Sequence, residues 1–252
     1  MSPYSWSADP DAVVVVPALA IGYWILLRVY PTRPWRVVCF AASLALLLAV
    51  FVTPLNHIAL HYLLSAHLLQ NVVVAEWAPA LAVLGIPPRL ADEVTRRSPV
   101  VRTLTQPALA LSIWLGTYFF WHVPWLYDTA LRHPNTLLHV EHACYFLAGA
   151  VFWWPVVHGR RSSGRKAAYL FAAFVLVSPL ALLLALLPSP IYSFYEDAPR
   201  LWGLSPLTDQ QIAGVTMAGE QALVFFYACA VYFARFLHEE DAREIYRSRP
   251  TP

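Results

Sequence analysis

Apolar residues run along this chain in blocks of about twenty, each fenced by proline, arginine or a short polar stretch. A helix of that length, rising ~1.5 Å per residue, matches the ~30 Å hydrocarbon core of a bilayer. Seven blocks qualify, at about 11–30, 35–53, 57–86, 105–126, 135–157, 167–188 and 209–237. The pattern predicts an all-α fold, a polytopic membrane bundle of seven transmembrane helices forming a single integral-membrane domain over residues 1–252. The third block differs from the rest, because it carries His57, His61, His67, Gln70, Asn71 and Glu76 among its apolar residues. Polar side chains in hydrocarbon cost several kcal/mol unless they face protein, water or a metal. The rest of the chain is therefore expected to be organised around this stretch.

Composition strengthens the membrane reading. Apolar residues make up 59% of the chain and charged residues 13%, against ~25% charged in soluble domains. A formal net charge of +2 gives no sign of a nucleic-acid partner; the partner implied is the lipid bilayer. Cys39, Cys144 and Cys229 are far apart and form no C-x-x-C motif, so they read as small apolar residues within spans. The first ten residues hold no Arg or Lys, and no cleaved secretory signal is expected.

The distribution of charge fixes an expected orientation. With seven helices, Arg28, Arg33, Arg36, Arg89, Arg96, Arg97, Arg102, Arg160, Arg161, Arg165, Lys166, Arg235, Arg243, Arg247 and Arg249 fall on one side, and only Arg132 and Arg200 on the other. Cytoplasmic loops carry the excess of Lys and Arg. This predicts an N-terminus outside and a C-terminus in the cytoplasm. The loop 188–208, rich in proline and aromatic residues, is expected to pack over the outer mouth of the bundle.

That orientation gathers the histidines. His57, His61, His67, His122, His133, His139 and His142 fall in the outer half, leaving His158 and His238 on the cytoplasmic side. His139 and His142 are three apart and share a helix face, as do His57 and His61 at four. Imidazole binds copper, zinc and iron, and facing helices that each give one or two histidines are a common way to build a site inside a bundle. The candidate ligands are His67, His122, His139 and His142, with Met217 as a soft partner suited to Cu(I). His61, Gln70, Asn71, Glu141, Gln210 and Gln211 are candidate supporting groups, and Glu76 and Glu220 lie deeper. The H-E-x-x-H metalloprotease signature is absent, and the one lysine sits in a charged loop where it cannot serve a retinal.

Several of these residues stand in stretches that resemble a known family: SAHLLQN, LGIPP, WHVPWLYDTAL, LHVEHACYFLAGAVFWWP and DQQIAGVTM, in that order between residues 65 and 217. On them the chain resembles the multi-span CtaG family of bacterial cytochrome c oxidase assembly factors. The resemblance implies a non-enzymatic multi-pass protein of the bacterial cytoplasmic (inner) membrane that helps mature a haem-copper oxidase. It also implies copper as the cargo, with cytochrome c oxidase subunits or a copper chaperone as partners. The family's polar positions carry over to His67, Gln70, His122, His139, Glu141, His142, Gln210, Gln211 and Met217. Where the family's third helix reads H-M-x-Q-H, Leu68 and Asn71 stand at the Met and the second His. Two other readings stay open: a haem-binding electron carrier with two axial histidines, and a metal-free assembly scaffold.

Overall fold

Proline sets the joints of the molecule. In a computed structural model describing residues 2–7, 9 and 11–247, seven helices begin on a proline. The first turn of a helix has no use for the missing N–H, and the fixed φ suits it. In order the helices are α1 (Val16–Val29, led by a π-type turn Asp11–Val15), α2 (Pro34–Val52), α3 (Pro54–His61) and α4 (Leu64–Val72). A second π-type turn, Val73–Trp77, leads into α5 (Ala78–Gly85), then α6 (Pro88–Arg97), α7 (Pro99–Leu104), α8 (Pro107–Trp121) and α9 (Pro124–Arg132). The chain closes with α10 (Leu137–Val157), α11 (Ser163–Leu186), α12 (Ser193–Glu196) and α13 (Pro206–Arg247).

The fold is all-α, and six stretches are long and apolar enough to cross a membrane: Ala12–Val29, Pro34–Val52, Leu64–Gly85, Leu137–Val157, Ser163–Leu186 and Pro206–Ala242. The fourth expected span, 105–126, is shorter: α8 has 15 residues and stops at Trp121. Pro124 is the reason, since it forces Val123 into an extended conformation and starts α9 afresh. The third expected helix, 57–86, is corrected too. It breaks at Tyr62 and Leu63, so His57 and His61 sit on α3 and the membrane-length run begins at Leu64.

Leu64–Gly85 is the axis: 72% of it is buried, against 17% and 22% for the first two spans. Around it pack α2, α10 and α13, with α8 laid against α10 and α11 along α13. Two close approaches depend on a missing side chain. A Cβ on Gly149 of α10 would strike the Ala75 carbonyl oxygen and come within 2.7 Å of Pro79 Cγ. One on Gly214 of α13 would lie 2.5 Å from the Ala185 nitrogen on α11. Small residues at such crossings let membrane helices touch backbone to backbone. Outward, Leu147, Phe171, Leu186, Leu223 and Phe226 are left exposed, as lipid-facing residues would be.

The ends of the bundle differ in kind. At one end Tyr30 donates to Glu93, the Arg36 guanidinium caps the Leu84 and Ile86 carbonyls, and Arg160 meets Asp92. Arg249 lies outside the described residues, as do the side chains of Arg243 and Arg247. At the other end α3, α9, α12 and the segment around Tyr192 close over the start of α4 and the end of α8.

Candidate functional site

The break before α4 is held open by a side chain from far along the chain. Leu63 is extended and offers no cap of its own. Instead Asp209, near the start of α13, accepts hydrogen bonds from the Leu64 N–H (2.6 Å), the Ser65 N–H (3.2 Å) and the Ser65 hydroxyl (2.5 Å). A carboxylate on the free N–H groups of a helix start satisfies them and complements the helix dipole. This cap places His67 one turn inside the bundle, fully buried.

Both inner histidines have one ring nitrogen fixed and the other buried without a partner. The Tyr195 hydroxyl gives its proton to the Ala59 carbonyl at 2.6 Å, so toward His67 Nδ1, 2.9 Å away, it acts as the acceptor. His67 therefore carries its proton on Nδ1, with the Tyr127 hydroxyl also 3.2 Å away. His122, at the C-cap of α8, points Nδ1 at the Tyr118 carbonyl (2.9 Å), an acceptor that fixes the same tautomer, with the Tyr145 hydroxyl at 3.3 Å. Each ring is left with an Nε2 lone pair that is buried and unpartnered. Orphaned buried acceptors are uncommon, and each calls for a reason. Tyr127 stands between the rings, its centroid 5.3 Å from that of His67 and 5.8 Å from that of His122.

His142 on α10 is buried against Phe51, 4.9 Å between centroids. It and His122 are close enough to His67 to interact with it electrostatically. His139 is half-buried, and with His142 it lines an apolar cavity of about 280 Å³ walled by Val15, Val16, Leu47 and Phe51. Among the described residues, no three His, Cys, Asp or Glu side chains are close enough together to cage a metal ion. The imidazoles of α4, α8 and α10 are neighbours rather than a closed ligand set.

The remaining expected groups divide by role. Gln70 donates to the Val50 carbonyl and to Asn56, tying α4 to α2 and α3. Asn71 donates to Glu141 at 3.2 Å, both buried between α4 and α10. Gln210 accepts from the Ile191 N–H and donates to the Ser189 carbonyl, pinning the loop that covers the mouth. Gln211 beside it is half-buried. Met217 is a buried member of the apolar core. His61, on the far side of the helix break, packs tilted against His57 with 4.5 Å between ring centroids, and burial together with the His57 neighbour holds it below the ordinary imidazole range.

Sequence reasoning missed the tyrosines and Asp209. Tyr118, Tyr127, Tyr145, Tyr192 and Tyr195 are all buried and orient the histidines or their backbone. Tyr192 donates to the His122 carbonyl and stacks on Tyr127 at 4.2 Å. The one available signal was the spacing of Tyr192 and Tyr195 within the loop expected to cover the mouth. A tyrosine inside an apolar block looks like any interfacial aromatic, and Asp209 caps a helix it does not adjoin in sequence.

The sequence pattern of the cytochrome c oxidase caa3 assembly factor family matches residues 19–239. No curated protein and no solved structure matches the chain.

Proposed function

The chain belongs to the cytochrome c oxidase caa3 assembly factor family, and on that premise we propose that it binds copper transiently between His67 and His122 and passes it to the oxidase during assembly. One observation carries the proposal: two buried imidazoles from different helices each have Nδ1 engaged and Nε2 unpartnered. A metal-bound histidine is held in this way, its second nitrogen fixed by a carbonyl or hydroxyl so that ring direction and tautomer are set beforehand. Two neutral nitrogens in apolar surroundings suit Cu(I), a soft ion content with few ligands. His142 is placed to join them, and His139 stands at the cavity edge through which an ion would pass between them and the surface. Met217 remains a candidate soft ligand on α13.

An open, unsaturated ligand set suits transfer better than storage, since a closed cage would hold its cargo. By the positive-inside rule the arginine end lies in the cytoplasm. The histidine end would then face outward, where a copper chaperone or an oxidase subunit could meet it.

The test is anaerobic titration of the purified protein with Cu(I). The wild type should bind copper with a defined stoichiometry, and the double variant His67→Ala, His122→Ala should lose that binding while running as the same monodisperse species. Equal stoichiometry in the two proteins overturns the site. A Soret band in the purified protein would point to haem on these histidines instead, and unimpaired oxidase assembly by the double variant would leave a scaffold role.

A further inference from the structure

Below the histidines lies a second polar group that the copper reading does not use. Glu76 sits in the π-type turn Val73–Trp77, where the helix is locally widened, and is fully buried. Such turns are frequent at functional sites. Its Oε1 accepts from the Tyr118 hydroxyl on α8 (2.5 Å) and from Gln221 Nε2 on α13 (3.1 Å). Glu220, next along α13 and 7% exposed, accepts from the Trp77 indole and lies within hydrogen-bonding reach of Glu76. The other oxygen of each carboxyl, Glu76 Oε2 and Glu220 Oε2, is buried without a partner.

Gln221 supplies an independent pointer. It is 0% exposed and its amide is aimed into the cluster, yet its Oε1 also has no partner. Three acceptor oxygens on adjoining side chains are therefore buried without donors. Among the described residues no arginine or lysine forms an ion pair with either carboxyl. Two like charges cannot both persist side by side in hydrocarbon, because desolvation and repulsion both oppose ionisation.

We propose that Glu76 and Glu220 form a buried proton-binding site, holding one proton between their carboxyl groups and reached from the histidine end past Tyr145 and Tyr118. The proton supplies the missing donor, so that one carboxyl donates to the other. The titratable groups facing the pair are Tyr118 on α8 and, behind it, Tyr145 on α10, whose ring lies 5.4 Å from that of Tyr118. His122 follows one turn along α8. Tyr145 Oη stands 3.3 Å from His122 Nδ1, and Tyr118 donates to Glu76, so hydroxyls mark this side of the pair. The inference does not depend on whether the histidines carry copper.

Infrared spectroscopy of the full chain in lipid nanodiscs tests it. At neutral pH the spectrum of the wild type minus that of Glu76→Gln, Glu220→Gln should contain one carboxylic-acid C=O band that shifts in D2O and persists in sodium salts. Tyr118→Phe should keep the band but slow its shift in D2O, on the order of 10²-fold, the scale of a lost proton relay. If the double variant does not fold, an apolar carbodiimide, which reacts with protonated carboxyls, should label Glu76 or Glu220 of the wild type, as read by peptide mass spectrometry. Absence of both the band and the label overturns the proposal. Loss of the band on adding sodium assigns the oxygens to a metal cation and overturns it too.

Discussion

The histidines at the two ends of the bundle differ in how their ring nitrogens are met. His158 closes α10 at the arginine end, where its Nε2 meets the Val83 carbonyl at 3.0 Å and its ring packs on Trp154. His67 and His122 at the other end are buried more deeply, and each leaves Nε2 without a partner. The contrast extends to the neighbours. Arg36, Tyr30 and Trp154 end on carbonyls, a carboxylate or a hydroxyl near water, while unpartnered polar atoms collect along α4, α8, α10 and α13. An unmet acceptor in hydrocarbon is costly and calls for a reason. The polar groups named at the arginine end are met within the protein, and the Nε2 atoms of His67 and His122 are not.

Substitutions can break this contrast, and the largest effect should come from the inner pair. Replacing His67 and His122 together by alanine should abolish Cu(I) binding and oxidase maturation, while His158→Ala should leave the copper stoichiometry unchanged; the reverse result in a Cu(I) titration would erase the distinction. Next comes the cap: Asp209→Ala removes three hydrogen bonds to the start of α4. It should lower stability by about 3 kcal/mol, measured by denaturant or thermal unfolding in detergent.

Acid sharpens the comparison from the arginine end. Burial pushes His158 down to about 4 from the ordinary 6.5, against the opposing pull of the Val83 carbonyl. Above pH 6.5 both the folded and the unfolded forms are neutral there, so His158 adds no pH dependence. As the pH falls toward 4 only the unfolded chain takes up the proton, and stability should drop by on the order of 2 kcal/mol. Across that range the melting temperature of the wild type should fall more steeply with acid than that of His158→Gln; equal slopes would remove His158 as the cause. Tyr195→Phe, which removes the acceptor holding His67 Nδ1, should weaken copper binding about tenfold, at the low end for outer-shell partners. Smallest of all, Arg160→Ala loses only an exposed contact with Asp92. It should change stability by less than about 0.5 kcal/mol.

Much of this architecture could be read from apolar block length, because a bilayer imposes one length on every crossing helix. The central role of the third block followed from its polar residues, and its burial bears that out. What escaped was local chain geometry. The break at Tyr62 and Leu63 has no proline or glycine to mark it, since its cap arrives from Asp209 on another helix. The shortened α8 was marked by Pro124, but an apolar count alone runs straight through WHVPWL. That His67, His122 and His142 lie near one another was legible from their type and side. The tyrosines that aim them were not, because nothing in a sequence separates a buried hydroxyl with a task from one at a headgroup.

The cap on α4 also has a bearing on biosynthesis. Its carboxylate lies 145 residues downstream of the backbone it holds, on a helix made long after α4. The mouth over His67 can take its final shape only after that helix has entered the bilayer, so a nascent or truncated chain presents a frayed pocket. The shape of the His67 pocket thus reports that the chain has been made at least as far as α13.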